Sequence, residues 1–214
     1  MNSVFLHAQQ STQATIDRDY PEWHHGRQHY ALWYIEILDP ALMHYLQQLR
    51  QQFADLLYQP NARQFHISLF ICGFRASAPA QYCDDFLDVQ LEQQHMDLTH
   101  AAVRRFQLST GRIRSFNSAL FLEVLDPDQH LQTLRSILST SANEIAAPRY
   151  CAHITLGVYG DAYPYTLVHD RIAACEQQAF ELSVQQLTFG QYQAQQLQGQ
   201  LDPQQYFQLD LDAT

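Results

Sequence analysis

The sequence predicts an α+β protein, because the order strand, helix, strand occurs twice along its 214 residues. Alternating side chains at 29–38 indicate a strand that is covered on both faces. Two further β-rich runs, 65–72 and 150–159, each close at or near a glycine. We therefore expect two lobes of sheet and helix in a chain long enough to bury a sizeable core.

Local spacing predicts the elements between these strands. Apolar residues three and four positions apart indicate an amphipathic helix that starts at Pro40, a tolerated first-turn position, and reaches Leu57. Residues 80–96 are a candidate second helix with an acidic start that complements the helix dipole. The other expected elements are strands at 103–108 and 119–125 with Gly111 near their turn, helices at 127–139 and 167–177, and closing strands at 180–192 and 198–211.

The first 27 residues are polar and only weakly periodic, so we interpret 1–27 as an extension lying against a single bilobal domain, 28–214. His24 and His25 are adjacent and would point to opposite sides of a strand, so we expect no metal site there. No signal peptide and no stretch of ~18 apolar residues is found, which favours a soluble cytoplasmic protein without membrane contact.

The composition restricts the function. All 12 basic residues are arginine, which excludes lysine chemistry, and the net charge of -10 argues against coating long duplex nucleic acid. The composition is still compatible with a small substrate or with a local basic patch. The four cysteines are far apart without a CxxC pair, so we expect free thiols in a reducing compartment and neither a zinc site nor another cofactor.

Two tripeptides carry the chemistry. His66-Ile67-Ser68 and His153-Ile154-Thr155 share one pattern, and their histidines are 87 residues apart (153 − 66). Residues i and i+2 of a strand project on the same side, so each tripeptide presents one imidazole beside one hydroxyl. Two such strands facing each other across a cleft would present two imidazoles and two hydroxyls to a common centre.

This set of groups suits phosphodiester chemistry without metal. One imidazole can accept a proton from a nucleophile while a protonated one donates to the leaving oxygen, on the opposite side of an in-line attack. Hydroxyls are donors for non-bridging phosphate oxygens, where charge accumulates. A single histidine in an apolar strand is more often a core residue, but two matching tripeptides favour a site.

The paired motifs resemble the signature of the two-histidine (2H) phosphoesterases, which include bacterial RNA 2',3'-cyclic phosphodiesterases, also called 2'-5' RNA ligases. The resemblance extends from about Tyr30 to Leu209 and leaves the extension outside. It implies a bilobal fold of pseudo-symmetric antiparallel lobes with outer helices around a central groove. It also implies that His66 and His153 divide the base and acid roles, while Ser68 and Thr155 hold phosphate oxygens.

Other residues are candidates for substrate contact. Arg112 and Arg114 belong to the densest positive charge and can reach a phosphate from one face, although a solvated turn paired with acids is the alternative. Tyr159 and Tyr163 flank Gly160 and are candidate stacking platforms at the groove rim. Phe70 and Phe116 could also stack on a base, but core packing is favoured for both.

Three hypotheses follow. The first is a metal-independent hydrolase that opens 2',3'-cyclic phosphates or cleaves 2'-5' bonds of a small nucleotide or RNA 3' end. The second is a non-catalytic module that binds nucleotides or RNA ends on the same fold. The third is RNA joining, the reverse reaction, which needs the same residues. Neither the product isomer, the histidine that acts as base, nor the oligomeric state follows from the sequence.

Overall fold

The computed structural model describes residues 5–77, 79–145 and 150–210. The strands are β1 His29–Glu36, β2 His66–Ala76, β3 Asp85–Leu87, β4 Phe106–Ser115, β5 Ala119–Leu125, β6 His153–Val158, β7 Glu181–Val184, β8 Gln186–Gln193 and β9 Asp202–Gln208. The helices are α1 Pro21–His24, α2 Pro40–Gln52, α3 Asp88–His100, α4 His130–Leu138 and α5 Tyr165–Ala173.

The strands form one curled, mainly antiparallel sheet with the order β7-β4-β5-β6-β2-β1-β8-β9. The short β3 pairs in parallel with β2 at the side of this path. We call β2-β1-β8-β9 the His66 half-sheet and β6-β5-β4-β7 the His153 half-sheet. They meet at β2 and β6, where Ile67 is the register partner of Ile154. The α+β class with two related lobes is thus confirmed.

The motif strands do not face each other across a cleft, as the sequence suggested, but pair side by side. The predicted strand at 180–192 is two strands, because β7 pairs with β4 while β8 pairs with β1. The chain therefore crosses from the His153 half-sheet to the His66 half-sheet at Gln185, and the two halves are interlocked. The expected end of the last strand at Leu211 lies outside the described residues.

Helices α2 and α4 show how sequence pattern becomes packing. In α2 the Asp39 carboxylate caps the helix by accepting from the Leu42 amide at 2.8 Å, and Pro40 occupies the first turn as predicted. Leu42, Leu46 and Leu49 are buried, as are the three leucines of α4, whereas Ile137 of α4 is half-buried. One large apolar core contains these helix faces together with Ile67 and Ile154.

Two predicted boundaries in the His66 half-sheet were wrong. Strand β2 does not end at Gly73 but passes through it with φ +111°, where a Cβ would lie 2.3 Å from the Asp84 carbonyl oxygen. Only glycine permits that approach and that φ, so β3 can pair alongside. Helix α3 begins at Asp88 and not near Ala80, because Asp85–Leu87 forms β3 and the Gln90 side chain accepts from the Leu87 amide at 2.9 Å.

The predicted turn at Gly111 was also wrong, since β4 continues through it to Ser115. The pairing of β4 with β5 shifts register between Thr110 and Ile113, and a Cβ at Gly111 would lie 2.6 Å from the Glu123 carboxylate. Glycine here makes room for Glu123 at an irregularity of the strand. The turn itself comes five residues later, at 116–118.

The N-terminal segment 5–27 lies against both halves of the molecule. The Leu6 amide donates to the Ser115 carbonyl at 3.0 Å, and the Thr15 amide donates to the Tyr159 carbonyl at 2.9 Å. At the other end the Arg27 guanidinium contacts Asp84 and Asp85, each at 2.6 Å. Residues 1–4 of the predicted extension lie outside the described residues. In the part of the chain that the structure describes, no helix is long and apolar enough to cross a membrane.

Candidate active site

The two His-x-hydroxyl tripeptides lie side by side at the centre of the sheet. Ile67 and Ile154, which are register partners, are fully buried. Because side chains alternate along a strand, the residues on either side of each isoleucine project from the opposite face. We call this the motif face. It bears the half-buried side chains of His66, Ser68, His153 and Thr155.

The antiparallel register makes the arrangement reciprocal. Next to the isoleucine pair, His66 lies opposite Thr155 and Ser68 lies opposite His153. Each imidazole therefore has the hydroxyl of the other strand as its neighbour. A pseudo-twofold axis through the isoleucine pair relates the two halves of the site, so one ligand on this axis would meet the same groups from both sides.

Both imidazoles are oriented by the same kind of hydrogen bond. His66 Nδ1 lies 2.8 Å from the Gln64 carbonyl oxygen, and His153 Nδ1 lies 2.7 Å from the Cys151 carbonyl oxygen. A carbonyl oxygen only accepts, so in each ring Nδ1 carries the proton and donates it. Nε2 of the neutral ring is then left with a free lone pair. Each histidine is thus held in the tautomer that can accept a proton at Nε2.

The two hydroxyls are available to a ligand. Within the described part of the chain, neither Ser68 Oγ nor Thr155 Oγ1 takes part in a hydrogen bond, whereas the Ser68 carbonyl oxygen accepts from the Tyr150 hydroxyl at 2.8 Å. The hydroxyls are therefore positioned through their backbone and keep their hydrogens for a bound group. Two free hydroxyl donors beside two basic nitrogens are suited to a tetrahedral anion.

Strand β1 borders the first motif with an aromatic ring and a carboxylate. Tyr34 is the register partner of Ser68, and Glu36 is the partner of His66. The Tyr34 ring meets the His66 ring edge to face, with centroids 5.6 Å apart. Its hydroxyl donates to Glu36 in a long hydrogen bond of 3.4 Å. This wall of the site therefore consists of an aromatic ring and a carboxylate.

Strand β5 borders the second motif in the same way. Phe121 is the register partner of Thr155, and Glu123 is the partner of His153. The ring centroids of Phe121 and His153 are 5.3 Å apart, and Phe116 approaches His153 to 5.0 Å. The sequence favoured core packing for Phe116, but this half-buried ring lies beside the catalytic candidate. Phe70, in contrast, is fully buried as that interpretation required.

The flanking residues repeat at the same interval as the motifs. Tyr34 and Phe121 are 87 residues apart (121 − 34), as are Glu36 and Glu123. An aromatic-x-Glu pattern thus precedes each His-x-hydroxyl pattern at a constant offset. This offset can be read from the sequence, but only when Tyr34 and Phe121 are treated as equivalent aromatic residues.

Burial and nearby positive charge set the proton affinities of the two rings. Burial lowers the pKa of His66 to about 4, assisted by repulsion from Arg63, His153 and Arg50, although the Nδ1 hydrogen bond to Gln64 acts in the opposite direction. Burial likewise lowers the pKa of His153 below its usual range. Both rings are therefore neutral at pH 7 when no anion is bound.

Arg50, on α2, links the second motif strand to the segment that precedes the first. Its Nε donates to the Leu156 carbonyl at 2.8 Å, and its terminal nitrogens donate to the Arg63 carbonyl at 3.2 Å. Its guanidinium lies 3.9 Å from the centroid of the Phe65 ring. Among the described residues it has no acidic partner, and burial lowers its pKa to about 10. Arg50 thus brings an uncompensated positive charge to the His66 side.

Arg135, on α4, makes the equivalent contacts to the first motif strand. It donates to the Leu69 carbonyl at 2.8 Å and lies 3.9 Å from the centroid of the Tyr150 ring. Its charge, however, is compensated by Glu144 at 2.6 Å. Leu69 and Leu156 each stand three residues after a motif histidine, so each helix holds the motif strand of the other half. These two arginines were not among the residues singled out from the sequence.

Arg112 and Arg114 lie within β4, not in a hairpin turn. Both are exposed, and Arg114 is the register partner of Phe121, which places it on the motif face two strands from His153. Arg114 forms an ion pair with Glu123 at 2.7 Å. The structure therefore brings both arginines to the face of the motif residues but outside the first ring of side chains around them.

The two tyrosines differ from the prediction. Tyr159 is fully buried and its hydroxyl lies 2.6 Å from Ser115 Oγ, so its proposed place at a groove rim was wrong. The half-buried Tyr163 donates from its hydroxyl to the Asp55 carbonyl at 3.1 Å, and its backbone pairs with Thr12 of the extension. The chain leaves the motif face after β6, which turns these rings toward the core and the N-terminal segment.

Within residues 5–77, 79–145 and 150–210, no group of three or more His, Cys, Asp or Glu side chains is arranged to hold a metal ion. The described cysteines are all free thiols.

The chain is similar to known proteins both in sequence family and in fold. The model of the 2'-5' RNA ligase superfamily matches residues 38–196. No curated protein sequence matches the chain. Among solved structures, E. coli LigT complexed with 3'-AMP superposes with a TM-score of 0.56 at 16% identity, covering 86% of this chain and 99% of that one. The complex of the same protein with NADP+ gives 0.56 at 14%, covering 85% and 98%.

A third structure, TT0787 of Thermus thermophilus, gives a TM-score of 0.51 at 11% identity and covers 86% of this chain and 100% of that one. The fold and the paired motifs define the class of two-histidine phosphoesterases. Within that class, the chain belongs to the 2'-5' RNA ligase superfamily.

Proposed function

We propose that this protein is a metal-independent phosphodiesterase that hydrolyses 2',3'-cyclic phosphate ends or 2'-5' linkages of RNA or small nucleotides. The observation that carries the proposal is the reciprocal site: two imidazoles with free Nε2 atoms, each opposite the free hydroxyl of the other strand. A phosphate between them would find a base, an acid and two donors already in position, without reorganisation of the protein.

Both histidines transfer a proton in the proposed reaction. One neutral Nε2 accepts a proton from water as the water oxygen bonds to phosphorus. The other ring, protonated at Nε2, gives its proton to the ribose oxygen whose bond to phosphorus breaks. The hydroxyls of Ser68 and Thr155 donate to the non-bridging oxygens, on which negative charge grows. One water is consumed, and the ring opens to a phosphomonoester beside a free ribose hydroxyl.

The charges around the site support a division of roles. The pKa of His66, lowered to about 4, favours His66 as the base, since it is the ring that stays neutral. A bound phosphate would raise the proton affinity of the opposite ring through its negative charge, which lets His153 enter the reaction as the acid. The arginines near His66 offset, locally, the net charge of -10 and attract an anion.

The partner is expected to be small. An acidic chain with few local cations suits a nucleotide or an RNA 3' end better than a long duplex. LigT of E. coli, which shares the fold, has been crystallised with 3'-AMP and with NADP+, and these names support a nucleotide ligand here. We propose that no cofactor takes part and that the protein works in the reducing cytoplasm.

The test is a substrate panel in the presence of a chelator. The protein is incubated with 2',3'-cyclic mononucleotides, 2'-5' dinucleotides and ADP-ribose cyclic phosphate, and the products are separated by chromatography. His44→Ala, an exposed histidine of α2, serves as the matched control for the motif variants. Turnover of at least one substrate, equal in the control, is the expected result. Activity that vanishes in chelator and returns with a divalent ion would contradict the proposal.

The same panel separates the two alternatives. Joining of RNA ends is the reverse of the proposed reaction and uses the same four residues, so it would show as 2'-5' products at high concentration of RNA ends. A binding module would show affinity for cyclic nucleotides without turnover. The family name supports testing the joining reaction, while the intact pairs of imidazole and hydroxyl speak against a module that only binds.

A further inference from the structure

A cavity of about 750 Å³ lies at the edge of β4, between the N-terminal segment and α5. Apolar residues of α5, Val168 and Ile172, form part of its lining. Its polar and aromatic lining comes from four parts of the chain, the N-terminal segment, β4, β5 and α5, and includes Phe5, His7, Arg112, Arg114, Glu123 and His169.

The cavity exists because β4 is only partly paired. Strand β7 pairs with β4 from Phe106 to Ser109 and stops there, so the rest of that edge has no strand partner among the described residues. The N-terminal segment covers its far end, where the Leu6 amide donates to the Ser115 carbonyl and Phe5 forms a bridge with Phe116. The cavity lies along β4 between the part that pairs with β7 and the part that the N-terminal segment covers.

The position of the cavity relates it to the motif residues. Glu123, which lines the cavity, is the register partner of His153, and Arg114 lies one strand further on the same face. Two strand spacings correspond to about 10 Å. A group bound at the arginines is therefore too far away to be the phosphate between the histidines, yet close enough to belong to the same short ligand.

Its charges select an anion. Arg114 is committed to Glu123, so this pair is close to neutral and removes the repulsion that Glu123 would exert on a phosphate. Arg112 is exposed and, within the described residues, has no hydrogen-bonded or ionic partner. A free guanidinium offers bidentate donors to a phosphate. The exposed imidazole of His7 lies beside it, whereas Nδ1 of His169 faces the Asp170 carboxylate at 3.4 Å.

We propose that this cavity is a second phosphate subsite, which holds the phosphate of the neighbouring nucleotide while the reacting phosphate lies between His66 and His153. The inference rests on the proposed function and deepens it, because it makes short oligonucleotides with a terminal cyclic phosphate the preferred substrate class. The N-terminal segment completes the subsite: Phe5 packs at 5.4 Å against Phe116, which borders His153.

The test compares two substrates that differ by one phosphate and one nucleoside: 2',3'-cyclic AMP and an adenosine dinucleotide ending in a 2',3'-cyclic phosphate. Arg112→Gln is expected to raise KM for the dinucleotide about tenfold, as for loss of one charge-assisted contact, and to leave KM for the mononucleotide within about twofold. Arg104→Gln, another exposed arginine close in sequence to β4, is the control and should change neither. Equal changes for both substrates, or none for the dinucleotide, would overturn the proposal.

Binding separates this inference from the proposed function. Calorimetry with the corresponding product ligands in both isomers, adenosine 2'- and 3'-phosphate and the dinucleotides ending in a 2'- or a 3'-phosphate, needs no turnover. A preference for the dinucleotide that Arg112→Gln abolishes supports the subsite even if neither cyclic substrate is hydrolysed. Equal affinities of the unaltered protein for the mononucleotide and the dinucleotide in both isomers would overturn the subsite even if both substrates are hydrolysed.

Discussion

The two half-sheets carry the same motif groups in different electrostatic surroundings. Each presents an imidazole, a hydroxyl, an aromatic ring and a carboxylate at a constant offset of 87 residues (153 − 66). In the His153 half-sheet, Glu123 is paired with Arg114 at 2.7 Å. In the His66 half-sheet, the partner of Glu36 within the described residues is Tyr34, which donates one long hydrogen bond of 3.4 Å. Geometry is thus duplicated, whereas charge is not.

Arg50 and Arg135, each of which contacts the motif strand of the opposite half, also differ in charge compensation. Arg135 has a carboxylate partner in Glu144, while Arg50 has none among the described residues and lies near His66. A symmetric site could place a substrate in either direction with equal energy. The unequal charges favour one direction, and with it one histidine as the base. In the proposed reaction, the residues around the two motifs, and not the motifs themselves, decide which histidine is the base.

Removal of either histidine is expected to have the largest effect. His66→Ala and His153→Ala should each lower kcat by about 10²- to 10⁴-fold, because each takes away one proton-transfer step. The double variant should be little worse than either single one, since the two rings act as a unit. Steady-state kinetics with the best substrate of the panel measures this. A variant that keeps full activity would remove its half-sheet from the catalytic pair.

Arg50 and Arg135 offer a stability test of the same comparison. Arg135→Met leaves the half-buried Glu144 without its counter-charge, and we expect a loss of about 3 kcal/mol in the free energy of unfolding. Among the described residues, Arg50→Met removes a cation without an acidic partner, leaves the Arg63 carbonyl without a donor and leaves the Leu156 carbonyl with the long 3.4 Å bond from Asn61, for a loss of about 1–2 kcal/mol. Denaturant titration gives both values.

The double variant Arg135→Met with Glu144→Gln serves as the control for that test. It should recover part of the loss, because the unpaired charge is gone. Equal losses for Arg50→Met and Arg135→Met would contradict the claimed difference in charge compensation between the two halves.

The smallest effect is expected where the two halves differ by one hydroxyl. Tyr34→Phe gives the His66 half-sheet the ring that the other half has in Phe121. The lost hydrogen bond to Glu36 is long, so kcat/KM and the unfolding free energy should change by less than about 1 kcal/mol. A larger loss of activity with unchanged stability would show that the Tyr34 hydroxyl takes part in the reaction, which would sharpen the difference between the halves.

Much of this architecture could be predicted from residue patterns. The paired tripeptides, the start of α2 at Pro40 and the apolar face of α4 follow from periods of two and 3.6 residues, which are local properties. The parts that could not be predicted depend on contacts between distant segments. Asp85 is an example: its acidic character suggested a helix start, but it lies in β3 and binds Arg27.

The candidate site shows the same limit. Ser68 and Thr155 could be named from spacing alone, yet the register that places each opposite the other histidine is a pairing across 87 residues (154 − 67). The prediction for Tyr159 was wrong because its neighbours along the chain suggested the rim of the groove, whereas its hydroxyl forms a hydrogen bond with Ser115 in the interior. The division at residue 27 stays a prediction.

The most direct test of two-histidine acid and base catalysis is the pH dependence of kcat/KM in the two single-histidine variants. In the unaltered protein both pKa values lie below 6.5, so the bell-shaped profile should fall on the acid side of that value: the base must be neutral, above its pKa, and the acid protonated, below its own. In the residual activity, His66→Ala should flatten the acid-side limb and His153→Ala the alkaline limb. Two variants that both retain the complete bell, or that lose the same limb, would contradict the account.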